Sequence, residues 1–243
     1  MYNIRTIHLS EVDSTNKYAK NLIPSTALPV AIYADGQTAG RGRLGRTFVS
    51  NIGKGIYMSI LFKPTFDLSL INKITAYTST IVSRVIDESA SVNTKIKWVN
   101  DIYLNNKKVC GILTESVIKN NECYVIVGIG INVLKQEFSD ELKNIVTTLE
   151  DETNNKYDNK TIIDMIIQTF FDNIDQIVNR EYIKDYRNKS CVIGKNVEVK
   201  LFDKIINGIA VDIDEDGELV VSTEDTIYKL YSGEITKLSI CDE

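Results

Sequence analysis

The sequence predicts an α/β (α+β) protein in two parts, and three observations carry that expectation. Strand-like and helix-like patterns alternate through the first 187 residues, as a layered α/β domain requires. From Asn188 onward only short β-rich segments and turn signals remain, which suits a small barrel. The length of 243 residues, with 43% hydrophobic and 25% charged side chains, fits one large soluble domain with an appendage. The division is placed at 1–187 and 188–243.

Taken in order, residues 4 to 9 read as a first strand. Asp13-Ser14-Thr15-Asn16 supplies the short polar oxygens that satisfy free N–H groups at a helix N-terminus, so capping is one reading of these residues. That helix runs through Tyr18, Ala19 and Leu22 and stops before Pro24. Val30 to Ala34 forms a second strand. Gly55 to Lys63, closed by Pro64, forms a third with a buried look. Ser69 reads as the cap of a helix in which Leu70, Ile74, Tyr77, Ile81, Val82, Val85 and Ile86 recur at helical spacing. Lys95 to Val117 reads as two strands around an Asn105-Asn106 turn. Cys123 to Gly130 is another buried strand that continues into Ile131-Asn132-Val133. Residues 160 to 186 are helical again, with Ile162, Ile166, Phe170 and Ile177 on one apolar face. In the tail, segments 196–201, 208–213, 218–222 and 226–230 alternate with turn signals such as Asp216-Gly217.

Composition excludes several chemistries. The single histidine, His8, disfavours most zinc sites and a Ser-His-Asp triad. The four cysteines, Cys110, Cys123, Cys191 and Cys241, are scattered without a C-x-x-C pair and read as free thiols in a reducing compartment. No apolar run approaches a membrane span and the first residues do not resemble a signal peptide, so a cytoplasmic location is expected. A net charge of −5 argues against general duplex-DNA binding.

Against that acidic background, Arg41, Arg43 and Arg46 gather three of the seven arginines in the stretch Gly40-Arg41-Gly42-Arg43-Leu44-Gly45-Arg46. Glycine lets the backbone approach a ligand and arginine supplies forked donors, a combination suited to gripping an anion. The spacing also spells G-x-G-x-x-G. However, no helix opening follows it, which removes the dinucleotide-fingerprint reading, and no Gly-Lys-Ser/Thr follows either. A solvated basic hairpin tip is the plain alternative. A second cluster, Lys97-Trp98-Val99-Asn100-Asp101, packs a cation, an aromatic ring, an amide and a carboxylate into five residues, with Lys108 just beyond the expected hairpin turn.

The ordered series Ser14-Thr15-Asn16, Gln37-Thr38-Ala39-Gly40-Arg41-Gly42-Arg43-Leu44-Gly45, Lys97-Trp98-Val99-Asn100-Asp101, Lys108-Val109-Cys110-Gly111-Ile112-Leu113 and Gly128-Ile129-Gly130-Ile131-Asn132-Val133 resembles the biotin protein ligases. Ser232-Gly233-Glu234-Ile235 in the tail resembles their C-terminal domain. The resemblance implies a mixed-sheet catalytic domain, related to class II aminoacyl-tRNA synthetases, followed by an SH3-like barrel. It implies attack of the biotin carboxylate on the α-phosphate of ATP, with Mg2+, giving biotinyl-5′-AMP. A lysine of a biotin carboxyl carrier protein, or of such a domain in a biotin-dependent carboxylase, then accepts the biotin.

By the same resemblance Lys108 and Arg43 are the catalytic residues, Lys108 standing between the carboxylate and the α-phosphate. Ser14, Thr15, Asn16, Gln37, Arg41, Gly42, Arg43 and Lys108 are implied to bind biotin. Arg41, Arg43, Arg46, Asn100, Asp101 and Asn132 are implied to bind ATP; the metal ligands are not assigned. Physical chemistry agrees with such a set, because two anions must meet and fixed cations stabilise the charge that builds between them.

Two departures stand out. Val99 replaces the proline usual in this family, which is expected to free the local backbone without removing a functional group. The tail lacks the arginine often found after its motif, which leaves an ATP contact from the tail open. A lipoate ligase or octanoyltransferase of the same fold is the rival reading, with Cys110 and Lys108 expected on one strand face, although the favoured reading of Cys110 is a small buried hydrophobe. A non-catalytic biotin-binding module is a third. A repressor form of the ligase is disfavoured, since the first motif begins close to Met1. A homodimer through the main sheet is an option, with Cys123 to Ile129 as a candidate edge.

Overall fold

The computed structural model describes residues 4–23 and 27–238. Pro24 and Cys241 therefore lie outside the described residues. The chain runs β1 (Arg5–Val12), α1 (Thr15–Asn21), β2 (Val30–Gln37), β3 (Gly55–Phe62), α2 (Ile74–Ala90), β4 (Lys95–Lys97), β5 (Asp101–Leu104), β6 (Lys107–Lys119) and β7 (Glu122–Asn132). It continues with α3 (Leu149–Thr153), α4 (Asn159–Asp172), α5 (Gln176–Asn179) and α6 (Tyr182–Lys189). The tail supplies β8 (Asn196–Lys200), β9 (Ile205–Ile213), β10 (Leu219–Ser222), β11 (Ile227–Leu230) and β12 (Glu234–Leu238).

Seven strands form one mixed sheet in the order β1-β2-β3-β7-β6-β5-β4. Only β1 and β2 run parallel; every other neighbouring pair is antiparallel. All eight residues of β3 are buried, because the sheet is covered on both faces there. Side chains alternate across a strand, so Met58, Ile60 and Phe62 join the large core under α2 and α4. Leu61 joins the smaller cluster under α1, with Ala19, Ile23, Ile32 and Ile126. The large core is anchored by edge-to-face rings, Phe170 meeting Phe62, Tyr77 and Phe171 at centroid distances of 5.7, 5.2 and 5.1 Å.

The tail is a five-stranded antiparallel sheet of order β11-β10-β9-β8-β12, bent by register shifts at Val220/Val221 and Ile235/Lys237. Its Val199, Ala210, Ile213 and Leu219 belong to the same apolar cluster as α2 and α6, so the two sheets share one continuous core.

Four expectations need correction. Asp67, not Ser69, caps the helical region: its side chain accepts from the Ser69 N–H, a 3-10 turn fills Leu68–Lys73, and α2 begins only at Ile74. The stretch 160–186 is three helices rather than one, broken by Asn173–Asp175 and by Arg180, which adopts a left-handed φ of 63°. The segment before the Asn105-Asn106 turn is two strands: Lys97 pairs with Asp101, so the chain reverses across Trp98-Val99-Asn100. The Trp98–Val99 peptide within this reversal is cis. Lastly, β7 lies between β3 and β6 and offers no sheet edge.

Phe170→Ala should lower unfolding free energy by about 3–5 kcal/mol, as expected for emptying an aromatic site in a close-packed core. Urea denaturation checks this; a loss below about 1 kcal/mol would mean the ring cluster is not central.

Candidate active site

A gap in the sheet surface makes room for a ligand. Gly111 of β6 pairs across the ladder with Gly130 of β7, and Gly128 pairs with Leu113. Without side chains, these positions leave a floor over which other groups fold. A Cβ on Gly130 would sit 2.6 Å from the Phe48 ring, and one on Gly128 would overlap Asn16 Oδ1. The resulting cavity is walled by Ser14, Thr15, Gln37, Arg41, Gly42, Arg43, Phe48, Met58, Asn100 and Lys108.

Its closed end is a hydrogen-bond network. Thr15 donates through both its N–H and its hydroxyl to Gln37 Oε1, at 2.9 and 3.2 Å. Gln37 Nε2 donates to Ser50 Oγ at 2.9 Å, and Ser50 donates to the Phe48 carbonyl at 3.0 Å. Ser59 Oγ stands 2.7 Å from Thr15 Oγ1 and 2.6 Å from Asn16 Oδ1. Ser14 occupies the N-cap position of α1, yet its hydroxyl makes no capping bond. Capping therefore does not explain these residues. They line a cavity whose polar groups are held in fixed directions.

Asn16 behaves differently from its neighbours. Its Nδ2 donates to the Leu113 carbonyl at 3.3 Å and to Glu115 Oε2 at 2.7 Å, while Oδ1 meets Ser59. Both ends are committed to protein partners that tie α1 to β3 and β6. The side chain borders the cavity but holds its wall.

The Gly40–Arg46 loop is a small hairpin, with Arg41 bridged to Thr47 and the Gly42 N–H donating to the Arg46 carbonyl at 2.7 Å. Leu44 and Gly45 take positive φ values of 55° and 76° at its tip. Leu44 points to solvent, whereas Arg41 and Arg43 line the cavity. A merely solvated tip does not describe it.

Opposite the loop stands the Lys97–Asp101 reversal. Arg43 Nη1 donates to Asn100 Oδ1 at 3.1 Å, and Asn100 Nδ2 donates to the Ile112 carbonyl at 2.9 Å. Asp101 Oδ1 lies 2.7 Å from Lys108 Nζ. The Lys108 backbone is pinned by the neighbouring segment, its N–H donating to the Ile145 carbonyl and its carbonyl accepting from the Thr147 N–H, both at 2.9 Å. Burial pulls the Arg43 guanidinium below its ordinary value, and Asp101 and Glu234 oppose that shift. Burial likewise lowers Lys97, with Asp101 opposing. Both are desolvated cations to which an incoming anion would return electrostatic stabilisation.

A second cavity opens on the far side of this cationic wall. It is lined by Arg46, Lys97, Tyr103, Asn132, Ile145, Val146 and the start of β12, Gly233 to Thr236. Arg43, Phe48, Asn100 and Lys108 line both cavities. Asn132 Nδ2 donates to the Thr147 carbonyl at 3.1 Å, which fixes its amide. Arg46 is ion-paired with Glu234 of the tail sheet.

All twelve sequence-derived site residues thus gather around two adjoining cavities, with Asn16 in the wall and Arg46 held at the rim. Lys97, Phe48 and Glu234 were missed as site residues. Lys97 and Glu234 stood inside quoted motifs, but nothing in residue type separated them from solvated charges. The shared strand face expected for Cys110 and Lys108 is corrected: a bulge places Tyr103 opposite Lys108 but Ile102 opposite Cys110, which reverses the alternation. Lys108 shares its face with Gly111, where a Cβ would lie 3.1 Å from Lys108 Nζ. Cys110 is fully buried in the core, and burial pushes its thiol pKa well up. It is a small apolar core residue, not a nucleophile.

Sheet, glycine floor and cationic wall are those of an acyl-ligase type domain: residues 9–132 match the biotin/lipoate A/B protein ligase family, and the chain belongs to that family. Residues 192–238 match the biotin protein ligase C-terminal domain. The bifunctional ligase/repressor BirA of Bacillus spizizenii is 34% identical over 236 residues, covering 94% of this chain and 73% of that protein. A biotin–[acetyl-CoA-carboxylase] ligase of Mycobacterium tuberculosis is 27% identical over 219 residues, covering 86% and 79%. Among solved structures, the biotin protein ligase of Aquifex aeolicus in complex with biotin and ATP superposes with a TM-score of 0.84 at 32% identity, covering 97% of this chain and 99% of that one.

Gly128→Ala should destabilise the fold by about 1–3 kcal/mol, because the new methyl overlaps a committed buried amide. Adding Asn16→Ala to that variant should recover part of the loss in urea unfolding; a purely additive pair would show that the two groups do not collide.

Proposed function

We propose that this chain is a biotin protein ligase, activating biotin with ATP and transferring it to a lysine of a biotin carboxyl carrier domain. The observation that carries the reading is the shared wall: Arg43, Asn100 and Lys108 line a glycine-floored polar cavity on one side and a cation-lined cavity on the other.

In this reading the biotin ring system lies over the Gly111–Gly130 floor, with Ser14, Thr15 and Gln37 meeting its ureido group. Its carboxylate points to Lys108. A carboxylate oxygen forms a bond to the α-phosphorus of ATP, the bond to the bridging oxygen breaks, and pyrophosphate leaves with that electron pair. Lys108 and Arg43 act at the point where the two anions meet, stabilising charge on the phosphoryl oxygens as it develops. The acceptor lysine amine then attacks the acyl carbon and AMP leaves. Arg41 and the Gly42 backbone close over the acyl-adenylate, excluding water from the anhydride. The fixed amide of Asn132 serves adenine, and Arg46 and Lys97 serve the outer phosphates.

Mg2+ is proposed to arrive with ATP. Among the described residues no group of three or more His, Cys, Asp or Glu side chains could hold a metal, and Asp101 and Glu234 are the carboxylates lining the nucleotide-side cavity. That donor set suits an ion carried largely by phosphate oxygens, where it would neutralise their charge.

The C-terminal match and the biotin-ligase relatives favour biotin over lipoate or octanoate, and the buried Cys110 leaves the transferase reading without its nucleophile. The functional division into 1–187 and 188–243 is retained as part of this proposal, as is the absence of a DNA-binding role, on the chain's acidic charge. No helix among the described residues is long and apolar enough to cross a membrane. Should the protein dimerise through its main sheet, the outer strand β1 and β6 beyond Gly111, where pairing with β5 ends, offer edges.

Incubation with biotin, Mg-ATP and a purified carrier domain should add one biotinyl group to one lysine by mass spectrometry; an unmodified carrier alongside well-folded enzyme would count against the proposal. Lys108→Ala should slow biotinyl-AMP formation by about 10²- to 10³-fold, the usual scale for a lost charge-stabilising donor, without shifting the melting temperature. Arg43→Gly should speed escape of the adenylate in a trapping assay. Unchanged turnover or unchanged escape would remove the residue from its role.

A further inference from the structure

The reversal that carries the cationic wall is fastened to the tail sheet. Trp98 is buried, and its Nε1 donates to the Gly217 carbonyl at 3.1 Å. Gly217 lies in a tight turn between β9 and β10, with a left-handed φ of 80°. Its N–H donates to the Asp214 carbonyl at 3.0 Å. The Asp214 carboxylate accepts from the N–H groups of Asp216 and Glu218, at 2.9 and 3.1 Å. The turn sits between α2 and α6: a Cβ on Gly217 would lie 3.6 Å from Ala76 Cβ and 3.7 Å from Ile183 Cδ1. From there Asp216 reaches two cations of the catalytic part. It is ion-paired with Lys73, whose side chain is only 10% exposed, and Arg180 Nη2 stands at 3.1 Å. Removing the partner of so buried a charge would leave it uncompensated, at a cost in stability.

We propose that the Asp214–Glu218 turn is a clamp that positions the catalytic cations, acting from a domain that does not itself carry them. This rests on the ligase reading of the site. Lys73 and Arg180 fix Asp216, and the turn then presents the Gly217 carbonyl to Trp98. The next carbonyl along, that of Val99, accepts from Tyr186 at 3.0 Å and from Ser79 at 3.3 Å. With Trp98 and Val99 both held, Asn100 and Asp101 are directed at Arg43 and Lys108. Lys73, Asp216 and Trp98 are thus positioning residues. The hydrogen bonds of the biotin-side network, among Thr15, Gln37, Ser50 and Ser59, run through none of them. Loosening the clamp therefore impairs phosphoryl chemistry more than binding of the acid, whose ureido contacts are held independently.

Trp98 is the chain's single tryptophan, so its emission reports the clamp directly in the full-length protein. Asp216→Asn and Lys73→Met should each shift Trp98 emission to the red and lower kcat for biotin-dependent ATP–pyrophosphate exchange about 10- to 100-fold, the scale of an ångström-sized misplacement. Biotin affinity by calorimetry should fall by a clearly smaller factor than kcat, and the double variant should lose little more than the worse single one. Asp216→Glu, which keeps the charge, should recover most of the emission and rate. Unaltered emission and kcat in Asp216→Asn would overturn the clamp, as would equal losses of biotin affinity and kcat, the mark of general destabilisation. If the wild-type protein shows no exchange with biotin, it is the ligase reading that fails; the emission comparison still decides the clamp, and unaltered emission overturns it.

Discussion

Bringing several cations together inside one protein costs energy unless each is answered by an acceptor, and the Lys97–Asp101 reversal is where that requirement is met. Asn100 takes the guanidinium of Arg43, and Asp101 takes the ammonium of Lys108. Glu234 answers Arg46 from the tail sheet. Without these acceptors, positive groups would repel one another across a partly desolvated wall, and the Gly-Arg loop would swing outward. With them, the wall is assembled before any ligand arrives. Incoming carboxylate and phosphate groups then complement charges already in place, which is what makes preorganised electrostatics effective.

The sheet prepares the space in front of that wall by subtraction. Gly111, Gly128 and Gly130 remove side chains from adjoining strands, and Phe48 and Asn16 fill part of what is left. A bulge in β6 turns Lys108 toward this space and Cys110 away from it. One extra residue in a strand therefore decides between cation-assisted adenylation and thiol chemistry at this position. The tail sheet contributes to the same place twice, through Glu234 at the cavity rim and through Gly217 behind the reversal.

Much of this was legible in the sequence, for identifiable reasons. Strands such as β3 and β7 showed as continuous apolar runs because both faces of the sheet are covered, and α2 showed through its helical spacing. The site residues were legible because glycine and arginine alternate against an acidic background, and because five motifs follow one another in a familiar order. What stayed hidden depends on tertiary context. The β4–β5 reversal looked like one strand because its residues are strand formers. The bulge at Val109 has no residue signature. Ser14 looked like a cap because capping and ligand binding call for the same hydroxyl. Asp216-Gly217 announced a turn, but no residue pattern marks that the turn docks onto Trp98 from the other sheet.

The central claim is that this cationic wall joins biotin's carboxylate to the α-phosphate of ATP, and ATP–pyrophosphate exchange tests it most directly. The purified protein with Mg2+ would be given biotin, lipoate, octanoate or no acid. The account predicts exchange with biotin alone. Exchange driven by lipoate or octanoate instead, or none with any acid in well-folded protein, would contradict it.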